Sequence, residues 1–244
     1  MLLWPILAAL LALAPLASAQ SKESAPAATS VLAGFVQYVE GQAQIQRSGD
    51  APPSTGVETL RENERLITGD GRAELTLSVG SFVRVGPHSE LEMIDAGLRA
   101  AHLRLHRGEV VLDVSLLIDD QVSTLRVGEA VVRFEKSGLY RVALGEGNLA
   151  IQTFSGRASY QASGETMEIK GGKALQLDAA GAATPSRASE ARKAPLLTWT
   201  KDRRRILLRQ ALQAQKASGA TPVLDDELRH MENNRPVGTV VVGP

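Results

Sequence analysis

Two histidines, His102 and His106, stand four residues apart, the spacing at which two imidazoles on a helix share one metal ion. The residues between and around them deny that chemistry. Leu103 and Leu105 alternate with His102, Arg104 and His106, which is the period of a strand. On a strand the two imidazoles lie about 13 Å apart along one face, too far for one zinc ion, with the cationic Arg104 between them. The acidic pairs Asp119-Asp120 and Asp225-Asp226 read as solvated turn or tail positions, because adjacent strand residues point to opposite faces. Paired-carboxylate hydrolysis would need two acids converging across the fold. Asp70, in Thr68-Gly69-Asp70-Gly71, lacks the alternating acidic ligands of a calcium loop and reads as a turn aspartate bonding its own backbone. His88-Ser89 has no Gly-x-Ser-x-Gly elbow to support a hydrolase triad. Neither a phosphate-cradling loop nor a dinucleotide fingerprint occurs. Cysteine is absent, which removes thiolate chemistry, cysteine-ligated metals and disulfides. The expected catalytic, cofactor-binding and metal-binding residues are therefore none, and no cofactor is expected.

The elements around these residues explain why they stay dispersed. From Arg65 to Met93 the sequence RLITGDGRAELTLSVGSFVRVGPHSELEM reads as three short strands divided by glycine turns. Ala73, Leu75, Leu77 and Val79 alternate with Arg72, Glu74, Thr76 and Ser78, as a strand with one buried and one wet face requires. Val31 to Arg47 reads as a hairpin bent at Gly41, and Leu98 to Val114 as another broken at Gly108. Alternating runs follow at Leu125–Phe134, Leu139–Leu144, Leu149–Ile151, Ala158–Tyr160, Met167–Ile169 and Leu175–Leu177. A glycine turn followed by an alternating strand recurs at Gly41, Gly108, Gly147 and Gly156. Its spacing is irregular, so a strict solenoid is not expected. The fold class expected is all-β, many short strands in a sandwich- or wrap-like domain.

The flanks differ in composition. Residues 1–19, MLLWPILAALLALAPLASA, are apolar, uncharged and end in Ala17-Ser18-Ala19, which predicts a signal peptide cleaved before Gln20. Residues 20–30 read as a flexible lead, 31–178 as the β domain and 179–194 as a linker. Over 195–218 the period changes to a helix, with Leu196, Trp199, Ile206, Leu207, Gln210, Ala211 and Ala214 tracing a stripe and Arg203, Arg204, Arg205 and Arg209 mostly off it. Residues 219–244 read as a mobile tail. Lys plus Arg and Asp plus Glu both number 27 in the 244 residues, so no basic excess points to nucleic acid. The Arg203–Arg205 cluster reads as a solvated helix face, or a contact for an anionic envelope surface or acidic protein patch. No segment after the leader is apolar enough to span a bilayer.

The span from about Val36 to Leu177 resembles the FecR-type domain, a periplasmic sensor module of bacteria. The resemblance rests on Val39-Glu40-Gly41, on Leu66-x-Thr68-Gly69-x-Gly71-Arg72-Ala73-Glu74-Leu75-x-Leu77, and on Val83-x-Val85-Gly86-Pro87-x-Ser89-x-Leu91. It continues through Leu103-x-Leu105-x-x-Gly108-x-Val110, Lys136-Ser137-Gly138-x-Tyr140-Arg141-Val142 and Gly147-x-Leu149-x-Ile151. Asn63-Glu64 and Val79-Gly80 depart from the family's common Gly-Asp and Asp-Gly pairs. The resemblance implies an all-β domain that works by protein contact rather than catalysis. Full-length FecR proteins relay a signal from an outer-membrane receptor to a sigma factor through a cytoplasmic segment and a membrane helix. Here the signal peptide is expected to lead straight into the β domain, so what transfers is a sensor-like or scaffolding module. The expected partner is an envelope protein or glycan, met at a strand edge or turn-rich end, in the periplasm or outside the cell. The C-terminal helix is expected to dock on the domain or on a partner. The alternative is a structural component of an envelope or surface assembly that self-associates.

Overall fold

The computed structural model describes residues 33–47, 49, 53–55, 58–78, 80–97, 100–114 and 122–218. The leader, the lead segment, Asp119-Asp120 and the tail with Asp225-Asp226 lie outside the described residues. The described chain is one all-β assembly with a single long α-helix, as the alternating sequence implies.

Among the described residues fifteen strands share one curled sheet, and its axis is the seventh. In chain order they are β1 (Val36–Glu40), β2 (Ala43–Gln46), β3 (Arg65–Thr68), β4 (Arg72–Ser78), β5 (Ser81–Val85), β6 (Glu90–Asp95), β7 (His102–Val114) and β8 (Thr124–Val127). Then come β9 (Ala130–Phe134), β10 (Gly138–Leu144), β11 (Leu149–Thr153), β12 (Arg157–Ala162), β13 (Glu165–Lys170), β14 (Lys173–Leu177) and β15 (Ala183–Arg187). The helix α1 spans Pro195–Ala217.

The first half of β7, from His102, pairs with β6 and, in the only parallel pairing among the described residues, with β8. Its second half, Gly108–Val114, pairs with β5 and β10. Two wings result. One runs β2-β3-β6-β7-β8-β9-β12-β13 and is called the histidine wing; the other runs β1-β4-β5-β7-β10-β11-β14-β15 and is called the helix wing. After β7 the chain lays down hairpins alternately in one wing and the other: β8-β9, β10-β11, β12-β13, β14-β15.

A common core fills the space between the wings. Leu91, Leu103, Leu105 and Phe134 enter it from the histidine wing, and Leu75, Val83, Leu112 and Tyr140 from the helix wing, all essentially without exposure. The Phe134 and Tyr140 rings meet across it with centroids 5.0 Å apart.

Gly108 is what lets one strand serve both wings. The sequence suggests a hairpin broken there, but β7 is a continuous strand of 13 residues. The glycine bends it at φ +86°, and a Cβ at that position would sit 2.1 Å from Ser89 Oγ. Gly41 likewise does not close a hairpin. β1 pairs with β4 and β2 with β3, so Gly41 is the corner at which the chain passes between wings. Alternation reports which face a residue occupies but not which strand it pairs with, and both hairpin expectations fail for that reason. The Arg65–Met93 stretch holds four strands rather than three, because Arg65–Thr68 pairs with both β2 and β6. The span expected as a linker, 179–194, holds β15 and a 3-10 turn at Ala188–Ala191. β15 adds to the edge of β14 by backbone pairing, which small and polar side chains do not announce.

Tyr140 pins the helix wing to the corner at Gly156. Its hydroxyl donates to the Lys136 carbonyl and accepts the Arg157 N–H at 3.1 Å. Burial pushes its ionisation up to about 12. The neutral phenol is thus favoured in the folded state. That contribution is complete below the unfolded value near 10 and drains away as pH rises from about 10 to about 12. Burial raises Tyr160 as well, so spectrophotometric titration should show two late tyrosines, of which Tyr140→Phe removes the one at about 12. The variant should lose about 1–3 kcal/mol in urea unfolding, since it strands the Arg157 N–H.

Candidate functional site

The reactive residues singled out in the sequence are kept apart. His102 and His106 share the outer face of the histidine wing, where Thr124 Oγ1 holds the first at 2.7 Å and Glu92 the second at 2.7 Å. Burial alone would push the Glu92 carboxyl up. The His106 hydrogen bond and the Arg104 charge, with its Nη1 at 3.3 Å, outweigh it and hold the group below the usual range. His88, at φ +53°, meets Asp70 at 3.2 Å on the open surface. Ser89 is buried and bonded to backbone. It accepts the Glu109 N–H at 2.9 Å and reaches the Pro87 carbonyl at 3.0 Å, so it braces the bend in β7.

The tightest constellation is one that sequence reasoning missed. On the outer face of the helix wing Glu74 of β4, Arg84 of β5 and Asp113 of β7 lie in neighbouring strands, where alternation assigns them to the wet side. They are dry because α1 covers them. Arg84 Nε donates to Glu74 Oε2 at 2.7 Å and Nη1 to Asp113 Oδ2 at 3.1 Å, with Arg84 and Glu74 fully buried. Arg203, from the cluster read as solvated, completes the set: its Nη2 donates to Glu74 Oε1 at 2.8 Å. Two acids and two bases leave the network neutral.

The helix reaches this position through its first turns. Pro195 opens it, suited to N1 because it lacks an N–H. Leu196, Leu197 and Trp199 pack on Val111, with Leu139 and Phe154 at the margin. Trp199 Nε1 donates to Glu40 Oε2 at 3.0 Å, and the Arg72 guanidinium lies 5.0 Å from its ring centre. Arg72, hydrogen-bonded to Glu40, is the main cause holding that carboxyl below its usual range. Arg203 stacks 4.0 Å over the Tyr38 ring. The face turned to the sheet therefore runs through the buried Leu196, Leu197, Trp199 and Thr200 and the half-buried Arg203. Ile206, expected on the buried stripe, is 41% exposed. The departure has a plain cause: the sheet surface beneath is charged, so the helix presents an arginine to it. A buried Arg-Glu contact adds little net stability but fixes register, because any other placement strands a charge.

The outer edges of both wings are blunted. Ile45 of β2 exchanges two backbone hydrogen bonds with Ser54, at 2.8 and 3.0 Å. Beside β1, Val36 donates to the Glu58 carbonyl and Leu60 to that of Gly34, at 2.7 and 2.9 Å. β15 carries Pro185, and β13 presents the exposed Glu165, Glu168 and Lys170. A cleft of about 120 Å³ between Tyr160, Met167, Leu177 and Gly181 is smaller than the roughly 300 Å³ at which ligand pockets begin. Among the described residues no helix is long and apolar enough to cross a membrane.

Residues 64–159, from β3 into the start of β12, match the family described as FecR protein. Two crystal structures from Parabacteroides distasonis, of a protein provisionally described as an anti-sigma factor, are similar to this chain. Identities are 13% and 12%, TM-scores 0.44 and 0.43. Each match covers 50% of this chain, which spans 57% of the length of those structures. No curated protein matches.

Proposed function

We propose that this protein is a non-enzymatic, exported FecR-type binding module that acts as a sensor or scaffold by contact with an envelope protein or glycan. Residues 1–19 serve as its leader and the mature chain works in the periplasm or beyond. One observation carries the reading: the two wings are finished differently. The helix wing is closed by the chain's own α1, while the histidine wing keeps exposed side chains such as Arg126, Arg133, Gln161 and Thr166 on its outer face. With the edges blunted, that face rather than a strand edge is where a partner is received. The same blunting weighs against self-association by edge pairing.

The purified protein, immobilised and exposed to envelope extract, should enrich the same partner in independent preparations, and light scattering should report a monomer. Reproducible enrichment of nothing would overturn the binding role. A large assembly in place of the monomer would favour a structural coat component.

A further inference from the structure

We propose that the outer face of the histidine wing, centred on Arg126 and Arg133, docks an acidic polypeptide segment in extended conformation. This names the surface and chemistry of the binding role proposed above, and rests on that role.

Most acids of the face are already spent. Glu92 is held by Arg104 and His106, Glu90 by Arg65 and Arg107, and Glu135 by Arg157. Arg126 and Arg133 are exposed and form no ion pair among the described residues. Their register sets their spacing. Arg126 of β8 lies opposite Val131 of β9, and Arg133 is two residues further along β9, opposite Thr124. Such diagonal neighbours stand about 7–8 Å apart. Carboxylates on alternate residues of an extended chain stand about 7 Å apart, so an acid-x-acid segment meets both guanidiniums, each able to bind a carboxylate with two hydrogen bonds. Arg104, directly beside Arg126 in the parallel β7-β8 pairing, is already engaged by Glu92, so the free charge of the face is that of Arg126 and Arg133. The large exposed hydrophobics, Phe35, Tyr38 and Ile206, all lie off this face. Among the described residues it therefore offers no large exposed hydrophobic ring to a sugar and no apolar wedge to a bilayer, and its free charges favour the acidic peptide.

Isothermal titration of the purified protein with a soluble Glu-Thr repeat peptide is expected to show binding that weakens with added salt. The Gln-Thr counterpart should not bind. Arg126→Gln/Arg133→Gln should lose about tenfold in affinity or more, with its circular dichroism and unfolding midpoint unchanged because both side chains are exposed. Equal binding of the Gln-Thr peptide, or an unaltered affinity in the double variant, overturns the proposal. So does variant-sensitive binding of vesicles rich in anionic lipid without peptide binding, which would assign the face to a membrane. The envelope pulldown separates the two levels. A partner retained by the double variant sinks this surface and leaves the broader role standing, whereas a native protein that captures nothing sinks the broader role.

Discussion

Gly108→Ala should lower stability by roughly 4 kcal/mol. Holding a residue with a Cβ at φ +86° costs on the order of 1–3 kcal/mol. Forcing that Cβ against Ser89, whose Cα would be 2.5 Å away, adds about 1–3 kcal/mol of overpacking. Ser89 cannot withdraw, because its hydroxyl ties the β7 bend to Glu109 and Pro87. Gly164→Ala supplies the internal control. Gly164 has φ +81° but nothing within 4 Å of where a Cβ would stand, so alanine there meets the backbone cost alone. Urea midpoints of the two variants separate strain from contact. Equal losses would mean that the close approach at the bend is not what requires glycine, and β7 would lose its place as the pivot.

Arg84→Met should cost about 3–5 kcal/mol, the penalty for leaving buried carboxylates without their counterion. Glu74 keeps Arg203, but Asp113, 4% exposed, loses the guanidinium that faces it. Arg203→Met should cost less, because that side chain retains some solvent access, yet it should loosen α1. The readouts are a red-shifted Trp199 emission and faster proteolysis within the helix. Both arginines bond Glu74, so the double variant should depart from additivity by about 0.5–3 kcal/mol. Strict additivity, with Trp199 emission unmoved in all three, would show that the helix is seated by its apolar turns and that the ion network is incidental.

The all-β class and the run of glycine turns were readable in the sequence because a period of two is a local property. Ala73, Leu75 and Leu77 announce a buried face without reference to any partner. Pairing was not readable. The same alternation fits a hairpin at Gly108 and a single bent strand, and the choice depends on Ser89 and the strands on either side. Helix α1 was foreseen from its composition, with bounds that differ by one residue, but its orientation was not. Hydrophobic stripes predict apolar docking, and here the docking surface carries Glu74, Arg84 and Asp113.

The sequence by itself determined that side chains alternate along short strands and that one helix follows them. Only the tertiary structure decided that β7 joins two wings, that the outer residues of one wing are dry, and that Arg203 turns inward to Glu74 while Arg126 and Arg133 face water. The reason is physical: burial of a strand's second face depends on what another part of the chain, over a hundred residues away, lays across it, and short-range periodicity holds no record of that.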